Sequence, residues 1–374
     1  MKSCPHCGHV GEDGVCAHCG QPLPPEEPDL QLPPGTLLSG THGTYRLDRV
    51  LGQGGFGITY AAFHPEQNRM TAVKEYFPVR CTLRNPDRTV IPKPGREEEY
   101  QAGLESFSRE AQMLAALGNF PSVVQVLDCF QANGTAYLVM EYLDGVPLHQ
   151  KAAQMGGRIP PEELLPKLPA LLRDLEAIHQ LGVLHRDITP DNIMWMPDGT
   201  LKLLDFGSAR TMGGNKSMTV MLKLGFAPVE QYLTHGQGPY TDVYALCATI
   251  YYLLTGVSPM DAVDRLEEDR LRSPIELGAA LTPEESEALL HGMAIQPKKR
   301  TQTAAALAEE LFPHGPPAPP HGFLLRPARR ELRAGPAGKL AAETLEGMTV
   351  YETTETKRPH LQSDADKHTP FPVY

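Results

Sequence analysis

Between Tyr45 and Phe312 the apolar pattern changes character once, and that change limits the folds open to the chain. Before Pro161 the apolar residues fall in short strand-like runs: Tyr45–Gly52, Gly57–Phe63, Thr71–Glu75, Val123–Phe130 and Ala136–Glu141. One helical pattern, Glu97–Leu117, interrupts them. From Pro161 the spacing is mainly helical, broken by strand-like pieces at Ile193–Trp195 and Leu201–Leu204. A strand-rich half followed by a helical half predicts an α+β fold with two lobes.

Proline sets the borders of this block. The chain has 36 prolines in 374 residues, and six of them lie in Gln21–Gly35. Such a segment is an extended spacer that cannot join a ladder. A second cluster, Pro313–Pro320, ends the last helical pattern, Thr303–Phe312. Beyond it no apolar period is sustained. The expected map is a cysteine module at 1–20, a linker at 21–37, a globular domain at 38–312 and a disordered tail at 313–374.

Composition narrows the function classes. Hydrophobic residues make up 41%, enough for a core, and the net charge of −11 argues against nucleic acid as a partner. The longest apolar stretch, around Ala245–Leu254, is far short of the roughly 20 residues that span a bilayer. The first residues lack the apolar core of a secretory signal, so a cytoplasmic location is expected.

Three segments carry chemistry. Gly52, Gln53, Gly54, Gly55, Phe56 and Gly57, followed by Thr59, lie between two strand patterns. Glycines so spaced let backbone N–H groups approach phosphate oxygens. Alone the pattern also fits a plain hairpin; a dinucleotide loop would require a helix after the third glycine, where Ile58–Phe63 is strand-like. Next, Lys74 ends the apolar run beginning at Thr71 and Ala72. It is either an inward cation needing an anion or an edge lysine in solvent. The helix beyond has an apolar stripe through Tyr100, Leu104, Phe107, Ala111 and Leu114, with Glu110 inside the stripe and Glu105 on the polar side. A carboxylate on that stripe requires a partner, and Lys74 is the candidate.

The strongest segment is His185, Arg186, Asp187, Ile188, Thr189, Pro190, Asp191 and Asn192, followed by Asp205, Phe206 and Gly207. Pro190 and Gly182 make it a loop. Single loop aspartates are usually turn formers. Carboxylates and an amide in this order between apolar runs are instead hard oxygen ligands suited to Mg²⁺.

Over Tyr45–Phe312 these residues, in this order and spacing, resemble the eukaryotic-like Ser/Thr protein kinases, and bacterial members in particular. The resemblance implies a β-rich small lobe and a helical large lobe, with ATP and Mg²⁺ between them. Gly52–Gly57, Thr59 and Ala72 would line the nucleotide site, and Lys74 would bind the α/β-phosphates and pair with Glu110. Met140 would be the gatekeeper before an adenine-binding hinge at Glu141–Leu143. Asp187 would orient or deprotonate the substrate hydroxyl, while Asn192 and Asp205 hold Mg²⁺. Glu230 would pair with Arg300, and Asp242 would brace the catalytic loop. Protein substrates follow; Thr211, Ser217 and Thr219 are either unmodified loop hydroxyls or phosphorylation sites, Ser217 or Thr219 foremost, where a phosphate could meet Arg186 and reaction in trans would need self-association.

The chain departs from the family at three positions. Thr189 stands where a lysine usually contacts the γ-phosphate, so either turnover is lower or another cation substitutes. Thr59 replaces a valine, and Val229 a proline. Rival readings are a nucleotide-binding pseudokinase scaffold, favoured only by Thr189, a small-molecule kinase of related fold, and a zinc-dependent adaptor.

Outside this block, Cys4 with Cys7 and Cys16 with Cys19 form two C-x₂-C-G knuckles. Four thiolates favour tetrahedral Zn²⁺, with iron the rival, and the module resembles small zinc ribbons. In so short a module the metal would supply the stability. At the other end, Thr344, Thr349, Thr353, Thr354 and Thr356 are either docking sites for a phosphothreonine reader or a solvated tail.

Overall fold

The structure, a computed structural model, describes residues 2–3, 10–11, 18–19, 30–55, 57–116, 120–204, 210–211, 223–233 and 236–315. At the N-terminus β1 (Lys2–Ser3) pairs antiparallel with β2 (Val10–Gly11), bracketing Cys4 and Cys7 in sequence.

The small lobe is built on one antiparallel sheet. Its strands are β3 (Leu37–Ser39), β4 (Thr44–Gln53), β5 (Gly57–His64) and β6 (Arg69–Tyr76), joined by two strands later in sequence. Between β6 and those last strands come a short hairpin, β7 (Thr82–Arg84) with β8 (Val90–Pro92), and the helix α1 (Glu97–Ala116). The sheet is completed by β9 (Val126–Ala132) and β10 (Thr135–Glu141), in the order β3-β4-β5-β6-β10-β9. Each strand expected from the sequence is present, with ends shifted by up to three residues. The hairpin was not expected, because three-residue strands set no readable period. Leu32 and Leu38 are buried in this lobe's core, so packing begins before residue 38, inside the stretch that its prolines assign to a spacer.

The large lobe is helical, as the pattern requires. After β11 (Val146–Pro147) come α2 (Leu148–Gln154), α3 (Pro161–Leu164) and α4 (Leu168–Gln180). Short strands follow: β12 (Val183–Leu184), β13 (Ile193–Trp195), β14 (Leu201–Leu203) and β15 (Arg210–Thr211). Then come α5 (Val229–Tyr232), α6 (Pro239–Thr255), α7 (Asp264–Glu267), α8 (Pro283–Gly292) and α9 (Ala304–Leu311). Helix α6 is apolar nearly all round and buried along most of its length, as a central core helix must be. It stops at Gly256, whose φ of +73° closes the helix as glycine does at little steric cost. Among the described residues no helix is long and apolar enough to cross a membrane.

Candidate active site

The strand register sorts the small-lobe residues onto two faces. Thr59, Lys74 and Leu138 stand side by side on β5, β6 and β10, and Ala61, Ala72 and Met140 form the next row of the same face. Tyr76 shares that face by alternation, and its ring lies 5.5 Å from Phe107 and 5.6 Å from Tyr100 of α1. Helix α1 therefore packs on the side that carries Lys74. Glu110, one turn beyond Phe107, is half-buried and accepts from Ser106 Oγ at 3.1 Å, whereas Glu105 is exposed.

Glycines in the turn between β4 and β5 are there for different reasons. A Cβ on Gly57 would lie 2.2 Å from the Glu75 carbonyl oxygen, so strand packing alone demands glycine there. At Gly52 and Gly54 a Cβ would meet nothing within 4 Å. Those two face open space, and the Gly54 N–H donates to Gly57 O at 2.9 Å to close the turn. Gln53 and Gly55 are exposed in the same turn; Phe56 lies outside the described residues.

The opposite face of β6 carries a group that sequence reasoning missed. Glu75 is fully buried and accepts from Arg84 Nη2 at 2.6 Å, Arg84 Nη1 at 3.0 Å, and the hydroxyls of Tyr60 and Tyr137, both at 3.0 Å. Arg84 Nε donates to Leu30 O, which fastens the segment preceding β3 to the lobe.

From β10 the chain passes through Glu141, Tyr142 and Leu143, all half-buried, into β11. Gln125 N donates to a Glu141 carboxylate oxygen at 2.9 Å, and Lys202 of β14 pairs with the same carboxylate. Leu203 N donates to Ser122 O and Val124 N to Leu203 O, so the link between the lobes is also tied to the strand that leads to Asp205.

The loop after β12 is held from beneath by one buried carboxylate. Asp242 accepts from the backbone N–H of His185 (2.8 Å) and of Arg186 (2.7 Å), and from His179 Nε2 (2.8 Å). Burial opposes its ionisation, but the hydrogen bonds from His179 and the Arg186 N–H, with the neighbouring imidazoles, hold the carboxyl below its ordinary value. This bracing lets Arg186 adopt φ +68°, a left-handed conformation that costs energy in a side chain of this size. His185 Nε2 donates to Leu204 O at 2.8 Å, which makes its Nδ1 the acceptor for the Asp187 N–H at 3.3 Å.

Asp187 is half-buried at the surface of this loop. Asn192 Nδ2 donates to both the Asp187 carbonyl oxygen (2.9 Å) and its carboxylate Oδ2 (2.8 Å). The Leu204 N–H donates to Asn192 O at 2.8 Å, so the residue before Asp205 is fixed to the same loop. Asp205, Phe206 and Gly207 lie outside the described residues, as do Cys4, Cys7, Cys16, Ser217, Thr219 and the tail threonines. Cys19 is described and half-buried.

Two expectations for the large lobe are met. Glu230 pairs with Arg300, Nη1 to Oε1 at 2.6 Å and Nη2 to Oε2 at 3.3 Å, with both residues buried. Asp242 sits under the loop as described above. A third contact was not foreseen: Lys223 Nζ donates to Thr189 Oγ1 at 3.0 Å and to Asp191 Oδ2 at 2.7 Å.

Comparison with known proteins agrees with this arrangement. The protein kinase domain family matches residues 45–312. Serine/threonine-protein kinase PknB of Mycolicibacterium smegmatis is 33% identical over 322 residues, 80% of this chain and 48% of that protein. Serine/threonine-protein kinase F of Synechocystis is 34% identical over 241 residues, 59% of this chain and 46% of its own length. The chain thus spans about half the length of the curated relatives it matches. A solved structure titled PpkA-294 apo form superposes with a TM-score of 0.67 and 38% identity, covering 75% of this chain and 99% of its own.

Proposed function

Because the chain belongs to the protein kinase family, we propose that it transfers the γ-phosphoryl group of ATP to Ser or Thr hydroxyls of proteins, itself included. The observation that carries this reading is the bidentate hold of Asn192 on Asp187, in a loop that Asp242 braces. It orients one carboxylate oxygen of a half-buried aspartate, as a group that receives a hydroxyl proton must be oriented.

Lys74 is assigned to the α/β-phosphates and to Glu110, which the shared face of β6 and α1 supports. Gly52 and Gly54, with open space where side chains would be, leave the backbone available to phosphate oxygens. Ala72 and Met140, adjacent on the same face, are assigned to the adenine end with the hinge Glu141–Leu143.

The donor set suits Mg²⁺. Since the Asn192 amide nitrogen is committed to Asp187, its Oδ1 is left as a hard oxygen ligand alongside Asp205. When bound there, Mg²⁺ would screen the charge of the phosphates.

We assign Zn²⁺ to the Cys4, Cys7, Cys16 and Cys19 knuckles, supported by the β1–β2 pairing that brackets the first. Metal analysis of the purified protein should return one zinc per chain; a metal-free, folded N-terminus would contradict that assignment.

Incubating the protein with Mg-ATP, beside Asp205→Ala, tests the main reading by intact mass and peptide mapping. Phosphate on Ser or Thr in the wild type alone is expected, with Ser217 and Thr219 as the first peptides to read. Nucleotide binding without transfer to protein would instead indicate a scaffold.

A further inference from the structure

Thr189 is buried two residues beyond Asp187, at the position where these kinases usually carry a lysine. A cation reaches that position from elsewhere. Lys223, 34 residues later, donates from Nζ to Thr189 Oγ1 at 3.0 Å and to Asp191 Oδ2 at 2.7 Å. Asp191 also faces His149, with Nδ1 to Oδ1 at 2.8 Å.

The backbone around Lys223 is fixed. Its carbonyl oxygen accepts from the N–H groups of Phe226 and Ala227. Gly225, at φ +83°, lies so close to Pro259 that a Cβ would stand 2.5 Å from the Pro259 carbonyl oxygen. Asp261 accepts from Gly225 N (3.3 Å) and from the Tyr232 hydroxyl (2.6 Å).

A pair between Lys223 and Asp191 alone would be a surface ion pair, since their side chains are 38% and 51% exposed. The contact with the buried, neutral Thr189 is what such a pair does not require. It turns the ammonium toward the loop that carries Asp187.

We propose that Lys223 is the cation the catalytic loop lacks, delivered from the segment before Glu230 and oriented by the Thr189 hydroxyl toward the phosphoryl group in transfer. The proposal rests on the kinase reading above. In the step, the substrate hydroxyl oxygen bonds to the γ-phosphorus as the bond from phosphorus to the β,γ-bridging oxygen breaks. The electron pair leaves on ADP, and the hydroxyl proton passes to the Asp187 carboxylate. Lys223 keeps its proton and counters charge on the non-bridging oxygens. Because the charge sits on the segment, turnover depends on that segment being seated.

Steady-state kinetics with Mg-ATP and a peptide that the wild type phosphorylates test this, using Lys223→Thr, Lys223→Met and the exchange Thr189→Lys/Lys223→Thr. Either single change should lower kcat about 10²-fold. The KM for ATP should stay within about 3-fold, because the lost contact forms mainly in the transition state. The exchange should recover at least about 10-fold of the loss, which a merely structural lysine would not do. Single variants that keep kcat within about 3-fold of wild type would overturn the proposal. So would an exchange variant that melts like wild type yet is no more active than Lys223→Thr. A wild-type protein that binds Mg-ATP but phosphorylates nothing would sink the kinase reading and this proposal together; an active wild type with unimpaired Lys223 variants sinks only this one.

Discussion

Among the described residues each lobe buries one carboxylate–guanidinium pair, and the two pairs do different jobs. Glu230 and Arg300 lie 70 residues apart and fix the end of the segment that carries Lys223 and Gly225 to the large-lobe core. Arg300 also donates to the carbonyl oxygens of Ala294, Ile295 and Tyr240, and lies 4.9 Å from the centre of the Tyr244 ring. Glu75 and Arg84 lie nine residues apart and fasten the β7–β8 hairpin and the segment before β3 onto the small lobe. Only Glu75 has two further hydroxyl donors, from Tyr60 and Tyr137. One pair ties the segment that carries Lys223 to the large-lobe core; the other staples the β7–β8 hairpin to the sheet. Similar chemistry should therefore have unequal functional weight.

Arg300→Met should do the most damage. It strands Glu230 as a buried charge with Thr241 as its remaining side-chain donor, for a loss of about 4–5 kcal/mol in urea unfolding. Protein that still folds should lose most of its phosphoryl transfer, because the segment is unseated. Arg84→Met should cost less, about 3 kcal/mol, since Tyr60 and Tyr137 still solvate Glu75. Its folded fraction should keep kcat within about 3-fold. A kcat lost equally in both variants would break the contrast.

Asp242→Asn comes next, at about 2–3 kcal/mol, because an amide cannot accept from all three donors. The pH dependence has a definite sign. A carboxyl held below its ordinary value contributes stability above roughly pH 4, lost as pH falls through the folded value. Wild type should therefore lose more stability than Asp242→Asn between neutral and acid pH. Parallel melting curves for the two across that range would refute the assignment.

The smallest pair of effects contrasts two glycines of one turn. Gly57→Ala drives a Cβ against a backbone oxygen at 2.2 Å and should cost about 1–3 kcal/mol in thermal melts. Gly54→Ala meets no neighbour and should change stability by less than about 0.5 kcal/mol, while weakening Mg-ATP binding.

What the sequence disclosed follows the same division. Glu230, Arg300 and Asp242 were legible because each belongs to a motif whose order along the chain is itself informative. The strands and α6 were legible because each is long enough to set a period. Glu75 was not, since it reads as the polar end of the strand after Lys74, and its partner lies among residues 77–96, rich in proline and charge. Lys223 was hidden for a related reason. Thr189 signalled that a cation was missing, but contact across 34 residues between a loop and a segment without a period leaves no trace in spacing.

The most direct measurement compares Asp187→Asn with the wild type for two quantities, Mg-ATP affinity and phosphate incorporated into protein. If Asp187 receives the hydroxyl proton, affinity stays within about 3-fold while transfer falls by about 10²–10⁴-fold. Transfer at the wild-type rate in Asp187→Asn, or loss of nucleotide binding together with transfer, would contradict the account.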